Sequence, residues 1–209
     1  QLLEQYDMRG TFFVCGNNIG APGYLSAKDL KSLLTKSHEL GSVTLSCDHL
    51  TGLTLAQQTA QIKGNYDLLN KGGLVSKSFA WPYGEDIAEL FPVLTTVGFQ
   101  RGRDVGGLKV PTSCTSCPVS VTMPVPSSQK YLLRSFSVKS FTTLGDLMWQ
   151  VWQAENWALQ NPNIKHMVIL KFETICTGCG YSPKTFELFL RWLYPRTKIG
   201  TSNEKINIL

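Results

Sequence analysis

The chain has no block of like charge. Its 20 Lys and Arg never stand five in a row, and the formal net charge of +5 is scattered over 209 residues. No nucleic-acid module signature accompanies that mild basicity, so a nucleic-acid partner is not expected. No apolar run approaches the roughly 18–20 residues that a spanning helix needs, so the chain is not expected to span a membrane. The opening QLLEQYDMRG lacks the charged and apolar regions of a secretory leader, and the missing initiator Met reads as a processed or trimmed start. There is no N-x-S/T sequon, no internal repeat and no low-complexity segment. With 17% charged and 43% hydrophobic residues, the composition excludes the disordered, collagen-like and coiled-coil classes. The chain is long enough for a large core and is expected to form a single domain over residues 1–209.

Cysteine is present in even number, as Cys15, Cys47, Cys114, Cys117, Cys176 and Cys179. Four of these form two C-x-x-C pairs, CTSC and CTGC, with 58 residues between them. Two such pairs can present four thiolates to zinc, but zinc knuckles usually stand about 15–20 residues apart. The spacing therefore favours disulfides over a structural zinc site, and with them an oxidising compartment, secreted or at the cell surface.

Short apolar runs alternate with helical patterns. Strands are expected at 10–15, 42–45, 77–81, 98–103, 131–138 and 166–172, the last (HMVILKF) being the strongest. Helices are expected from Ser26 as N-cap to about Leu40, over 54–70, over 85–97, after Thr142 or Thr143, and over 183–194. The stretch 106–128 reads as a long loop. Such alternation argues for a parallel sheet, most simply a barrel or a doubly wound sheet. Sites in either fold form at the C-terminal ends of the strands. Cys15, Cys47, Trp81 to Tyr83, Arg103 and Glu173 all fall at such ends.

Four segments in order, GTFFVCGNNI, SHELGSVTLSCDHLTGLT, FAWPYGE and ILKFETICTGCGYSPKTFELFLRWL, resemble the polysaccharide deacetylases, the NodB-type carbohydrate esterases that include chitin deacetylases. The resemblance implies an α/β fold, a distorted and here incomplete (β/α) barrel. It also implies a zinc ion held by an Asp of T-F-D-D-G and two His of H-[S/T]-x-x-H, which polarises the acetamide and activates water. A second Asp would be the general base and a late-strand His the general acid.

This chain departs from that pattern. Val43 and Cys47 fall where the two His ligands belong, and taken alone both are ordinary core residues. T-F-D-D-G is absent, through truncation or loss. Glu173 of LKFE takes the place of the late His, a role that would require its pKa to be raised by burial. In AWPYG, Ala80 stands for the family's Arg. The backbone N–H of Tyr83 is then the implied oxyanion donor, and Trp81, Pro82 and Tyr83 the implied substrate wall. Arg103 would lie near the catalytic floor. A rerouted ligand set would draw on Cys47, Asp48, His49 and Glu173. His38 and His166 are expected to face solvent, and the tryptophans of 149–157 to pack in the core. A Cys15–Cys47 disulfide would occupy the place of the metal.

The expected activity is that of a deacetylase homologue acting on or binding chitin-type N-acetylated glycans. It is read as inactive in this form, with zinc expected of the family but not bound here. The alternatives are an active deacetylase with rerouted ligands and a non-catalytic carbohydrate-binding protein.

Overall fold

The computed structural model describes residues 2–107, 123–124, 130–163 and 166–198. Helices α1 (Leu2–Gln5), α2 (Ala27–Thr35), α3 (Leu55–Lys71), α4 (Phe91–Val97), α5 (Leu144–Gln160) and α6 (Pro183–Lys198) alternate with strands. The strands are β1 (Thr11–Val14), β2 (Glu39–Ser42), β3 (Ser76–Ala80), β4 (Arg101–Gly107), β5 (Met123–Pro124), β6 (Leu133–Val138), β7 (His166–Met167) and β8 (Leu170–Phe172). Two compact units share the chain. One comprises Arg9–Asp104 with Gln129–Leu133, and the other Gln1–Met8, Val105–Ser128 and Arg134–Ile208.

In the first unit β1, β2, β3 and β4 pair side by side, all parallel. The register shifts between β2 and β3, where Leu40 faces Ser76 but Ser42 faces Phe79. Helices α2 and α3 begin at Ser26 and Thr54, whose hydroxyls accept from the backbone N–H three residues on while Asp29 and Gln57 reach back. Along α3, Gln58, Ile62, Asn65 and Leu69 recur at helical spacing and are buried. Asn65 Nδ2 donates to the Val14 carbonyl and to Ser42 Oγ, both at 2.8 Å, tying the ends of β1 and β2 to the helix. Gly16 permits this approach, since a Cβ there would lie 2.5 Å from Asn65 Oδ1. The core is aromatic, with Phe79, Trp81, Phe99 and Tyr131 packed against Leu50, Ile62, Leu90 and Leu94.

Helix α2 stops at Thr35 rather than near Leu40. Ser37 takes a left-handed φ of 65°, and the N–H groups of Ser37 and His38 return to the carbonyls of Leu34 and Leu33. That is a Schellman stop built on Ser instead of Gly. Leu40 therefore belongs to β2, and the strand expected at 42–45 lies three residues earlier. Glu39 can open β2 because its charge is met. Its carboxylate accepts from Thr11 Oγ1 (2.9 Å), Ser78 Oγ (2.6 Å) and Arg101 Nη2 (3.0 Å). His38 is buried at 4% exposure, against the expectation of a solvent-facing ring; its Nδ1 accepts from Gly10 N–H and Phe12 packs edge-on.

In the second unit β6 and β8 pair in parallel and β5 pairs antiparallel with β7. The expected single strand at 166–172 is thus two short ones that serve different partners. Thr143 caps α5 with Asp146 in the same reciprocal way. Leu147 and Val151 of α5 are buried, as are Phe186, Phe189, Leu190 and Leu193 of α6, while Trp152 is half exposed. Phe172 joins this core edge-on to Tyr181 and Phe186. Cys114 and Cys117, most of the expected 106–128 loop and the side chain of His166 lie outside the described residues.

Candidate functional site

The C-terminal ends of the first unit's strands carry Cys15 after β1, Val43 to His49 after β2 and Trp81 to Glu85 after β3, with Arg103 on β4. The β2 segment is held by its backbone. Val43 N–H donates to the Val14 carbonyl, and Asn17 N–H to the Leu45 carbonyl at 2.8 Å. Gln61 of α3 accepts from both the N–H and the hydroxyl of Ser46. Cys47 sits in the left-handed region at φ 60°, uncommon for a residue with a Cβ, and its N–H donates to the buried Thr44 hydroxyl at 2.9 Å. The payoff of that turn is a disulfide from Cys47 to Cys15, with Cα atoms 5.6 Å apart.

These donors do not fit a zinc ion. Val43 has no lone pair, and the Cys47 sulfur is bound to Cys15 and cannot act as a thiolate. The Nδ1 of His49 meets Glu85 Oε1 at 2.6 Å. Asp48 is exposed, and among the described residues no group of three or more His, Cys, Asp or Glu is placed to hold a metal ion.

His49 instead belongs to a surface cluster. Its ring lies flat on that of Tyr83, centroids 3.8 Å apart and planes 8° from parallel. Glu85 accepts from Thr51 Oγ1 at 3.0 Å as well as meeting His49. The hydrogen bond to His49, then that to Thr51, holds the Glu85 carboxyl below its ordinary range despite some desolvation. Tyr83 is 63% exposed and stands at a left-handed φ of 54° within the turn Pro82–Gly84. The sequence reading did not assign Glu85 or Thr51. The signal for Glu85 was its place directly after the Pro-Tyr-Gly turn.

Trp81 and Pro82 are different. Trp81 is 1% exposed, its indole N–H donates to the Tyr131 carbonyl at 2.7 Å, and Phe79 and Phe91 pack on it. The expected stacking of a sugar on Trp81 does not fit a ring so enclosed, and Pro82 is buried too. Arg103 is also buried, its guanidinium 4.9 Å above the Phe13 ring centroid and donating to the Asp104 carbonyl.

Glu173 lies in the second unit, just past β8. Its Oε1 accepts from Lys171 Nζ at 2.5 Å and Lys139 Nζ at 2.9 Å. These bonds, Lys171's first, pull its pKa from 4.5 down to about 2. A general acid would need the opposite shift, so the carboxyl is ionised where the sequence expectation required a proton.

Parallel strands, crossover helices and a cluster at the strand C-termini define an α/β protein of the barrel-derived class. Residues 1–102 match the model of the polysaccharide deacetylase family. Among solved structures, a polysaccharide deacetylase from Mycobacterium smegmatis is similar at 13% identity and a TM-score of 0.61, over 99% of this chain and 71% of that one. Peptidoglycan deacetylase PdaC from Bacillus subtilis is similar at 18% identity and a TM-score of 0.51, over 93% of this chain and 73% of that one. These likenesses show the fold, an α/β NodB-like half-barrel. A family 4 carbohydrate esterase from Streptomyces lividans aligns at 23% identity with a TM-score of 0.41, over 47% of this chain and half (50%) of that one. No curated protein matches.

Proposed function

We propose that the chain is a catalytically inactive polysaccharide-deacetylase homologue that engages N-acetylated glycans of the chitin type, outside the cell. The observation that supports it most is the state of the two ligand positions. Val43 replaces one His, and Cys47 replaces the other with its sulfur in a disulfide. Metal-assisted hydrolysis needs three or four converging donors around an open coordination position, and neither residue supplies one. The described cystines accord with an oxidising location.

A second reading, carbohydrate binding without turnover, draws on the stacked pair of Tyr83 and His49. An exposed aromatic face pinned by Glu85 offers a sugar a rigid platform with polar groups at its edge. The rerouted-ligand alternative has less support, because His49 is committed to Glu85 and Glu173 to two lysines.

The test pairs two assays on the same protein, acetate release from N-acetylglucosamine oligomers and calorimetric titration with them. No acetate together with measurable heat is expected, the heat falling in Tyr83→Ala. Acetate release that a chelator abolishes overturns the inactive reading. No heat at millimolar oligomer overturns the glycan reading.

A further inference from the structure

The second unit holds a cleft of about 210 Å³ at the C-terminal ends of β6 and β8. Its walls are fixed in several independent ways. Cys176 N–H donates to the Tyr181 carbonyl and Tyr181 N–H to the Thr174 carbonyl, at 3.0 and 2.8 Å. The Cys176–Cys179 disulfide closes the turn between these bonds. Gly180 lies so close to the chain that a Cβ would come within 2.5 Å of the Thr174 carbonyl oxygen. On the opposite side the turn before α5 is tied by Lys139 N–H to Thr142 Oγ1 and Thr142 N–H to the Lys139 carbonyl.

The lining of this cleft has three chemical features. Lys139 and Glu173 line it, and Lys171 from outside the lining reaches the same Glu173 oxygen as Lys139, so these two ammonium groups and one carboxylate together carry one positive charge. Phe141 lines the cleft with its ring 82% exposed. Tyr181 is 2% exposed, yet its hydroxyl has no hydrogen-bond partner among the described residues. A buried hydroxyl left unbonded is costly, and such a group commonly awaits a ligand or water. Burial, and after it the negative charge of Asp146, raises the Tyr181 pKa to about 12, so the hydroxyl keeps its proton to donate.

We infer that this cleft is a subsite for a carboxylate-bearing sugar ring, with the ring on Phe141, the carboxylate beside Lys139, and one of its oxygens accepting from the Tyr181 hydroxyl. An exposed aromatic face suits the apolar side of a pyranose, while the surplus cation and the unused donor select an acidic substituent over a neutral one. The sugar part of this assignment rests on the glycan reading above; the preference for a carboxylate rests on the cleft alone. Glu173 then acts as an internal competitor for the lysines, not as an acid catalyst.

The test titrates the protein with an oligomer alternating glucuronate and N-acetylglucosamine, and in parallel with the neutral N-acetylglucosamine oligomer of the same length. The acidic oligomer is expected to bind more tightly, and added salt to weaken it more than the neutral one. Tyr181→Phe keeps the ring packing and is expected to weaken the acidic oligomer about tenfold, as loss of one hydrogen bond to a charged group does. Glu173→Gln frees both lysines and is expected to tighten the acidic oligomer about fivefold through the removed like charge. Equal affinities for the two oligomers, or an acidic affinity unmoved by both substitutions, overturn the subsite while leaving glycan binding intact. Binding of neither oligomer overturns both readings.

Discussion

Cys15 and Cys47 stand just past the ends of adjacent parallel strands, joined by a disulfide across 32 residues of sequence. The bond clasps the two strand ends together. The chain-entropy account of such a loop gives about 3–4 kcal/mol of stabilisation. Cys15→Ser with Cys47→Ser is therefore expected to lower the unfolding free energy by about that amount, read from the denaturant midpoint at constant slope. A loss below about 1 kcal/mol would show that the clasp is not structural.

Trp81 and Tyr83 are two residues apart and should respond in opposite ways. Trp81→Ala removes a fully enclosed indole and its hydrogen bond to Tyr131, and is expected to cost about 3–5 kcal/mol. Tyr83→Asn keeps a residue tolerant of the left-handed φ and is expected to cost less than about 1 kcal/mol while weakening glycan binding. Thermal unfolding of the two variants separates core from platform.

The carboxylate of Glu39 joins β1, β2, β3 and β4 through Thr11, Ser78 and Arg101. Glu39→Ala leaves three polar groups without their acceptor and is expected to destabilise by about 2 kcal/mol. Glu39→Gln, which keeps an acceptor oxygen but not the charge, should cost less. Chemical unfolding of both variants checks the order.

Glu173 is depressed from 4.5 to about 2, first by Lys171 and then by Lys139. A carboxyl lowered on folding adds stability that is complete above its unfolded value and is lost as pH falls toward its folded one. The Glu173 contribution is therefore present above about pH 5 and fades between about 4.5 and 2. Lys171→Gln is expected to raise the Glu173 pKa toward its ordinary value, followed through the side-chain carboxyl resonance. An unchanged titration would mean that the ion pair does not form in solution.

The alternation of elements and the helix N-caps were readable because they rest on local signals. Ser26, Thr54 and Thr143 each precede a helical period with an acid or amide three residues on. The end of α2 was not readable, because a Ser in the left-handed conformation does the work usually given to Gly. The burial of His38 and the opening of β2 by Glu39 escaped for another reason: their partners lie 28 to 62 residues away. At the site, the lack of a donor on Val43 could be read from residue type alone. Which side chain would occupy His49, and which charges would hold Glu173, depended on contacts that only the fold creates.

Zinc content is the most direct measure of the central claim, that Val43 and Cys47 have removed the catalytic metal site. The purified protein would be incubated with zinc, desalted, and its metal per chain determined by elemental analysis, once with the disulfides intact and once after mild reduction. The account predicts well under one zinc per chain in the oxidised protein and, since Val43 has no donor to regain, no acetate release from N-acetylated oligomers after reduction. One tightly held zinc per chain in the oxidised protein, with acetate release that disappears on chelation, would contradict it.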